Sequence, residues 1–116
     1  MARIEITGNI GRAPELKFTN GGDAYLSFSV ADSKSRKLDS GEWETLKEQW
    51  FNVTVWRELA QLYAEKLEKG SRVTIWGEFF ERKYESDKGA GVSLDVQAKG
   101  IDIHPKRNGG NGGQQQ

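Results

Sequence analysis

The sequence predicts an all-β domain of five strands with one helix between the third and the fourth, in the order βββαββ. Three observations carry this expectation. Five segments alternate apolar and polar residues with a period of two. A single segment carries a helical stripe instead. Glycines fall inside several strand patterns, where a small closed sheet needs bulges or corners.

The strands follow in order. "RIEITGNI" places Ile4 and Ile6 on one side, and "AYLSFSVA" does the same with Leu26, Phe28 and Val30. In "QWFNVTVWR" the core side is Phe51, Val53 and Val55, leaving Trp50, Asn52, Thr54 and Trp56 on the other. "RVTIWGEFFERKY" begins with Val73 and Ile75, and "VSLDVQA" alternates Val92, Leu94 and Val96. The helix is expected in "RELAQLYAEKLEKG", where Leu59, Ala60, Leu62, Tyr63 and Leu67 form the stripe and Gly70 offers a left-handed cap. Gly8, Gly11, Gly77 and Gly100 are the strand-breaking glycines. A small, partly open barrel with a helix closing one end fits this order, which is the OB-fold architecture.

Two connections read as long loops. "DSKSRKLDSGEWETLKE" joins strands two and three, and "ESDKGAG" joins strands four and five; both are rich in Gly, Ser and charge. The closing "PKRNGGNGGQQQ" has no apolar anchor. The expected division is therefore a folded domain over residues 1–104 and a disordered Gly/Asn/Gln-rich tail over 105–116.

Composition narrows the function classes. The 116 residues are 29% charged and 35% hydrophobic, which suits one soluble domain with a modest core. No apolar run approaches the roughly 18 residues of a membrane span, and "MARIEITG" lacks the apolar centre of a signal peptide. A cytoplasmic protein of a bacterium or phage-infected cell is the simplest expectation. Cysteine is absent, which excludes disulfides, thiol chemistry and Cys-based zinc sites.

Nothing in the sequence assembles a catalytic centre. There is one histidine, His104 beside Pro105, and the carboxylates are scattered over turns. "GNIG" and "GAG" complete neither a dinucleotide nor a P-loop fingerprint. No catalytic residue, metal or cofactor is expected.

Charge points to placement, not to net sign. There are 17 basic and 17 acidic residues. Without Lys106 and Arg107, 15 basic residues face 17 acidic ones, a net charge of −2 over residues 1–104. Lys34, Arg36 and Lys37 cluster in one connection, and Arg82 and Lys83 stand beside Tyr84. These charges either solvate loops or form a basic path.

The two tryptophans on the polar side of strand three decide between those readings. A large ring among polar neighbours needs something to cover it, either a partner subunit or a ligand. Period two puts Thr74, Trp76, Glu78, Phe80, Arg82 and Tyr84 on one face of strand four, where aromatic and basic residues interleave. Unpaired bases with their phosphates suit such a surface, because a ring stacks on any base while Arg or Lys neutralises backbone charge. Trp50 and Trp56 stand about 20 Å apart on an extended strand, at roughly 3.3 Å per residue. They would contact bases several nucleotides apart. For Trp76 and Phe80 the weight falls toward a subunit partner, Trp43 reads equally as local anchor or ligand contact, and Tyr25 reads as packing.

Several motifs occur together and in order. They are Gly-Asn-x-Gly at residues 8–11, Pro-Glu-Leu-x-Phe at 14–18, Trp-x-x-Val at 50–53 and Lys-Gly-Ser-x-Val at 69–73. With them, residues 2–104 resemble the bacterial and phage single-stranded DNA-binding proteins. The resemblance implies a protein that coats and protects single-stranded DNA without sequence specificity during replication, recombination and repair. It implies that Trp50, Trp56 and Tyr84 stack on bases, Tyr84 standing where the family commonly has tryptophan. It also implies a basic path through Arg3, Lys17, Arg82 and Lys83, to which the cluster Lys34, Arg36 and Lys37 is added. Arg36 stands where many members have tryptophan, while Asn52, Glu58 and Phe80 stand where others carry Arg or Lys, so weaker affinity and salt dependence are expected.

Assembly and partners are also read from the resemblance. It implies a homotetramer, with a dimer as the alternative, since Phe51 replaces a polar residue at an interface-sensitive position. The ending "GGNGGQQQ" has no acidic, Phe-terminated tip for recruiting repair enzymes, which suggests a phage or plasmid variant or a truncated chain. Two other classes fit the same face: an OB-type replisome or primosome interaction subunit, and an RNA-binding OB protein.

Overall fold

A computed structural model describes residues 2–105. Its elements run β1 (Ala2–Phe18), β2 (Ala24–Lys37), β3 (Trp43–Trp56), α1 (Arg57–Ala64), β4 (Arg72–Ser86) and β5 (Gly89–Ile103). The expected βββαββ order is therefore present. The strands close into a barrel in the order β1-β2-β3-β5-β4. Antiparallel pairing joins every neighbour except β3 and β5, which run parallel over Asn52↔Asp95, Val53↔Val96 and Thr54↔Gln97. This short parallel ladder closes a ring that the sequence suggested would stay partly open.

The core is what period two selected, except at Val92, which the alternation predicts inward but which stands on the β4–β5 arm beyond the barrel and is exposed. Leu26, Phe28 and Val30 from β2, Val53 and Val55 from β3, Val73 and Ile75 from β4 and Val96 from β5 point inward and are fully or almost fully buried. Phe51 is buried with them and meets Phe79 edge to face, ring centroids 6.3 Å apart. Phe51 is thus a core side chain within one subunit. Burying each such apolar side chain stabilises the fold by roughly 1.5–3 kcal/mol before the entropy of ordering is subtracted.

Two glycines let the barrel close tightly. A Cβ on Gly8 would overlap the Ala31 carbonyl, and one on Gly77 would overlap the Gln97 carbonyl and crowd Ala98 Cα. Gly77 also marks a register shift between β4 and β5, while the β1–β2 pairing shifts on either side of Arg12.

The two expected long loops are corrected to hairpin arms. β2 and β3 continue their pairing out to Lys37↔Trp43, leaving residues 38–42 as the turn, with Gly41 at φ 93°. β4 and β5 pair out to Ser86↔Gly89, with Asp87 and Lys88 at the tip. Their residues looked like loop because neither face is apolar. Main-chain pairing holds a hairpin without a buried face, so the period-two signal vanishes there while the strand does not.

The helix is shorter than expected. It ends at Ala64, with Glu65 as its C-cap, and the Lys66 and Leu67 amides both donate to the Tyr63 carbonyl. Gly70 does adopt a positive φ, 89°, but in the turn beyond the helix, where its amide donates to the Ile10 carbonyl at 2.7 Å. Ala60 and Leu67 enter the core, and the Tyr63 hydroxyl donates to the Ile101 carbonyl at 2.7 Å, pinning α1 to β5. Leu62, expected on the apolar stripe, is instead exposed.

Candidate nucleic-acid interface

The outward side chains of β3 are held by the burial of their neighbours. Because Phe51, Val53 and Val55 are locked in the core, Trp50 and Trp56 must face outward, and they remain 51% and 39% exposed. Their inner surfaces are supported differently. The Trp50 ring reaches across β2 to lie against Gly11 of β1, close to where a Cβ would stand. Trp56 packs on Tyr25, its register partner on β2, with ring centroids 5.2 Å apart and planes tilted by 36°. Tyr25 is therefore a packing residue, as expected, and what it packs is a candidate stacking ring.

The arm of β4 and β5 carries the third expected ring. Tyr84 is 45% exposed and lies across Gly91, whose missing side chain leaves room for it; a Cβ there would stand 2.6 Å from the phenol carbon and oxygen. Phe80, four residues earlier on the same face, is also exposed. Trp76 lies across Gly100 of β5 in the same manner. Beside it, Arg3, Ile4, Glu78 and Lys99 line one surface concavity, which places Trp76 among charges. Trp43, near the tip of the β2–β3 arm, is exposed with the pairing partner Lys37.

The expected cations divide into two groups. Arg36 donates through Nε to Glu44 at 2.8 Å, Arg82 to Asp95 at 3.0 Å, and Lys17 lies 3.5 Å from Glu15. Arg3, Lys34, Lys37 and Lys83 make no ion pair among the described residues. Lys34 stands opposite Lys47 across the β2–β3 pairing, and both line a concavity with Asp32, Glu48 and Gln49. Lys17, Tyr25 and Trp56 are register partners in sequence across β1, β2 and β3, joining a cation to two rings.

Sequence reasoning missed the polar chain that links β3, β5 and β4. Asn52 Nδ2 donates to Ser93 Oγ at 2.7 Å, Ser93 Oγ donates to Asp95 Oδ1 at 2.6 Å, and Arg82 Nε donates to Asp95 Oδ2. Partial burial disfavours the Asp95 carboxylate. The hydrogen bonds from Ser93 and Arg82, the Arg82 charge and the nearby Asn52 amide outweigh that and hold its pKa below the ordinary value. The alternation of "SLD" places Ser93 and Asp95 outward, but only the parallel β3–β5 pairing brings Asn52 to them. Arg12, beside Gly11, and Lys99 and Lys47 are further outward cations that the motifs did not single out.

The arrangement suits an extended polyanion with flat bases. Exposed rings and cations both occur on the outward faces of β2, β3 and β4. Among the described residues, no group of His, Asp and Glu side chains is placed to hold a metal ion, and no helix is long and apolar enough to cross a membrane. The expected tail beyond Pro105, including Lys106 and Arg107, lies outside the described residues.

Comparison with known proteins gives a consistent answer. The model of the single-strand binding protein family matches residues 1–103. A single-stranded DNA-binding protein of Mycolicibacterium smegmatis is 40% identical over 88 residues, covering 74% of this chain and 53% of that protein. Single-stranded DNA-binding protein A of Bacillus subtilis is 33% identical over 112 residues, covering 95% of this chain and 63% of that protein. The chain thus spans between about half and two thirds of the length of these curated relatives. In fold it is similar to a small single-stranded DNA-binding protein from Streptomyces coelicolor, with a TM-score of 0.80, 21% identity and coverage of 89% of this chain and 94% of that one. A Plasmodium falciparum SSB complex with ssDNA gives a TM-score of 0.71 at 23% identity, covering 90% and 96%. The motifs at residues 8–18, 50–53 and 69–73, the closed five-stranded barrel and the match over residues 1–103 agree that this chain belongs to the single-strand binding protein family.

Proposed function

We propose that the protein binds single-stranded DNA without strong sequence preference, coating and protecting it during replication, recombination and repair. The single observation that carries this reading is the outward pair Trp50 and Trp56, exposed on β3 while their neighbours fill the core. Each ring rests on protein, Trp50 against Gly11 and Trp56 against Tyr25, and its exposed part is what a base would cover. Tyr84 extends the same chemistry onto the β4–β5 arm, and Lys34, Lys37, Lys83 and Arg3, unpaired among the described residues, supply charge for the backbone. The activity is binding and not catalysis, and it operates in the cytoplasm.

Assembly belongs to the same reading. One barrel offers a short track, so a footprint of tens of nucleotides requires several barrels acting on one strand. The functional particle is a homotetramer. Titration with poly-dT, following tryptophan emission together with particle mass by light scattering, tests both parts: quenching with saturation and a mass four times that of the chain are expected. Unchanged emission with no bound DNA would reject the binding function, and a monomer mass at micromolar concentration would reject the tetramer.

A further inference from the structure

Among the described residues, Arg82 differs from the other cations of the candidate path because its partner is a partly buried carboxylate. The Asp95 side chain is 19% exposed, and both its oxygens are occupied, Oδ2 by Arg82 Nε and Oδ1 by Ser93. Ser93 is in turn fixed by Asn52 from β3. The guanidinium is therefore held at one edge, while its two Nη groups make no hydrogen bond among the described residues. Phe80 and Tyr84 lie two residues to either side on the same outward face, about 7 Å along the strand. Arg82 thus stands between the two rings on that face.

Charge and geometry then separate two roles. The adjacent carboxylate cancels most of the field of Arg82, so a phosphate gains little from it, whereas N–H donors keep their hydrogen-bonding capacity. We propose that Arg82, oriented by Asp95, reads a base edge instead of a phosphate, favouring bases that present two adjacent acceptors. Cytosine does so with O2 and N3, and guanine with O6 and N7. Adenine offers donor beside acceptor, and the two carbonyls of thymine are separated by an N–H. Asp95 is the positioning residue of this subsite, and the result is a local bias inside an otherwise sequence-tolerant path. The inference rests on the proposed single-stranded DNA binding.

The test compares oligo-dC with oligo-dA of equal length across a range of salt, for the wild type and for Arg82→Ala, Arg82→Lys and Asp95→Asn. Self-stacking of oligo-dA is common to all four proteins and cancels when their dC-to-dA affinity ratios are compared. Arg82→Ala should lower that ratio roughly fivefold or more, as removing one bidentate pairing to a base edge does. Its dependence of log affinity on log salt should stay unchanged. Arg82→Lys keeps the charge without the planar fork and should also lose the ratio. Asp95→Asn frees the charge of Arg82 for a phosphate, so it should lower the ratio and steepen the salt slope by about 0.7 for each phosphate newly neutralised. An unchanged ratio with a slope flattened by about 0.7 in Arg82→Ala would make Arg82 a plain phosphate ligand and overturn the proposal. So would an Asp95→Asn protein that matches the wild type in both measures. Failure of the wild type to bind either oligonucleotide would instead reject the binding function itself.

Discussion

The Trp50 indole lies across Gly11, on the strand beyond its own neighbour, so that a methyl group at position 11 would overlap the ring. The glycine is a seat for the tryptophan. Gly11→Ala should leave the barrel folded, because the end of a side chain can move where backbone cannot, and should shift the Trp50 emission. DNA affinity should fall by about 1 kcal/mol, less than the roughly 1–3 kcal/mol expected for Trp50→Ala. Equal affinity of Gly11→Ala and wild type in a fluorescence titration would show that the seat does not position the ring.

Trp56 is expected to behave differently because it is paired with Tyr25. Trp56→Ala should weaken binding by roughly 1–3 kcal/mol and should also lower stability by about 0.5–1.5 kcal/mol, the worth of an aromatic pair. Urea unfolding and DNA titration of the same variant separate the two losses. If the variant instead dissociates into smaller particles with unchanged affinity per subunit, the ring is interface packing and not a stacking platform.

Cations with and without an ion pair among the described residues should part in their response to salt. Lys34→Ala and Lys83→Ala should each flatten the slope of log affinity against log salt by about 0.7 for each phosphate left without its cation. Arg36→Ala should flatten it less, because Glu44 already neutralises that side chain at 2.8 Å. Equal slopes for the Lys34 and Arg36 variants would mean that the Glu44 pair opens when DNA binds.

Asp95 should report on acid stability. Its pKa in the folded protein lies below the ordinary value of 3.8, so folding favours the carboxylate. The stabilisation is present above the unfolded pKa and is lost as pH falls through the folded one, below about pH 4. Asp95→Asn should flatten the acid limb of the stability curve relative to the wild type, measured by urea midpoints between about pH 2 and 6. An identical acid limb in the variant would show that Asp95 is no better stabilised in the fold than in the open chain.

Gly77, like Gly8, is a position where the backbone has no room to yield. Gly77→Ala would drive a Cβ into the Gln97 carbonyl and against Ala98 Cα. A loss of roughly 1–3 kcal/mol or more in unfolding free energy is expected, far above that of Gly11→Ala. Calorimetry on the two variants side by side decides it, and comparable melting temperatures would contradict the difference drawn between backbone and side-chain neighbours.

Alternation in the sequence settles most of the division between barrel interior and surface, failing at Val92 on the β4–β5 arm, which has no core to face. Alternation at Leu26, Phe28 and Val30, at Phe51, Val53 and Val55 and at Val73 and Ile75 forces that division, because a strand has only two faces and water excludes one set. It also exposed Trp50 and Trp56 as rings on the wrong side for a core. Where burial is absent the pattern carries no signal, which is why the arms over residues 32–48 and 85–91 read as loops although their backbones are paired. The helix overran for a related reason: Leu67 is apolar and buried, but it reaches the core from a turn, and periodicity cannot tell one from the other. Tertiary structure alone decided the contacts between strands distant in sequence. Only the register and closure of the barrel set Trp50 on Gly11, and only the parallel β3–β5 pairing aligned Asn52 with Ser93 and Asp95. That alignment ties Arg82 to a carboxylate, and the character of a cation depends on its partner in space more than on its place in a motif.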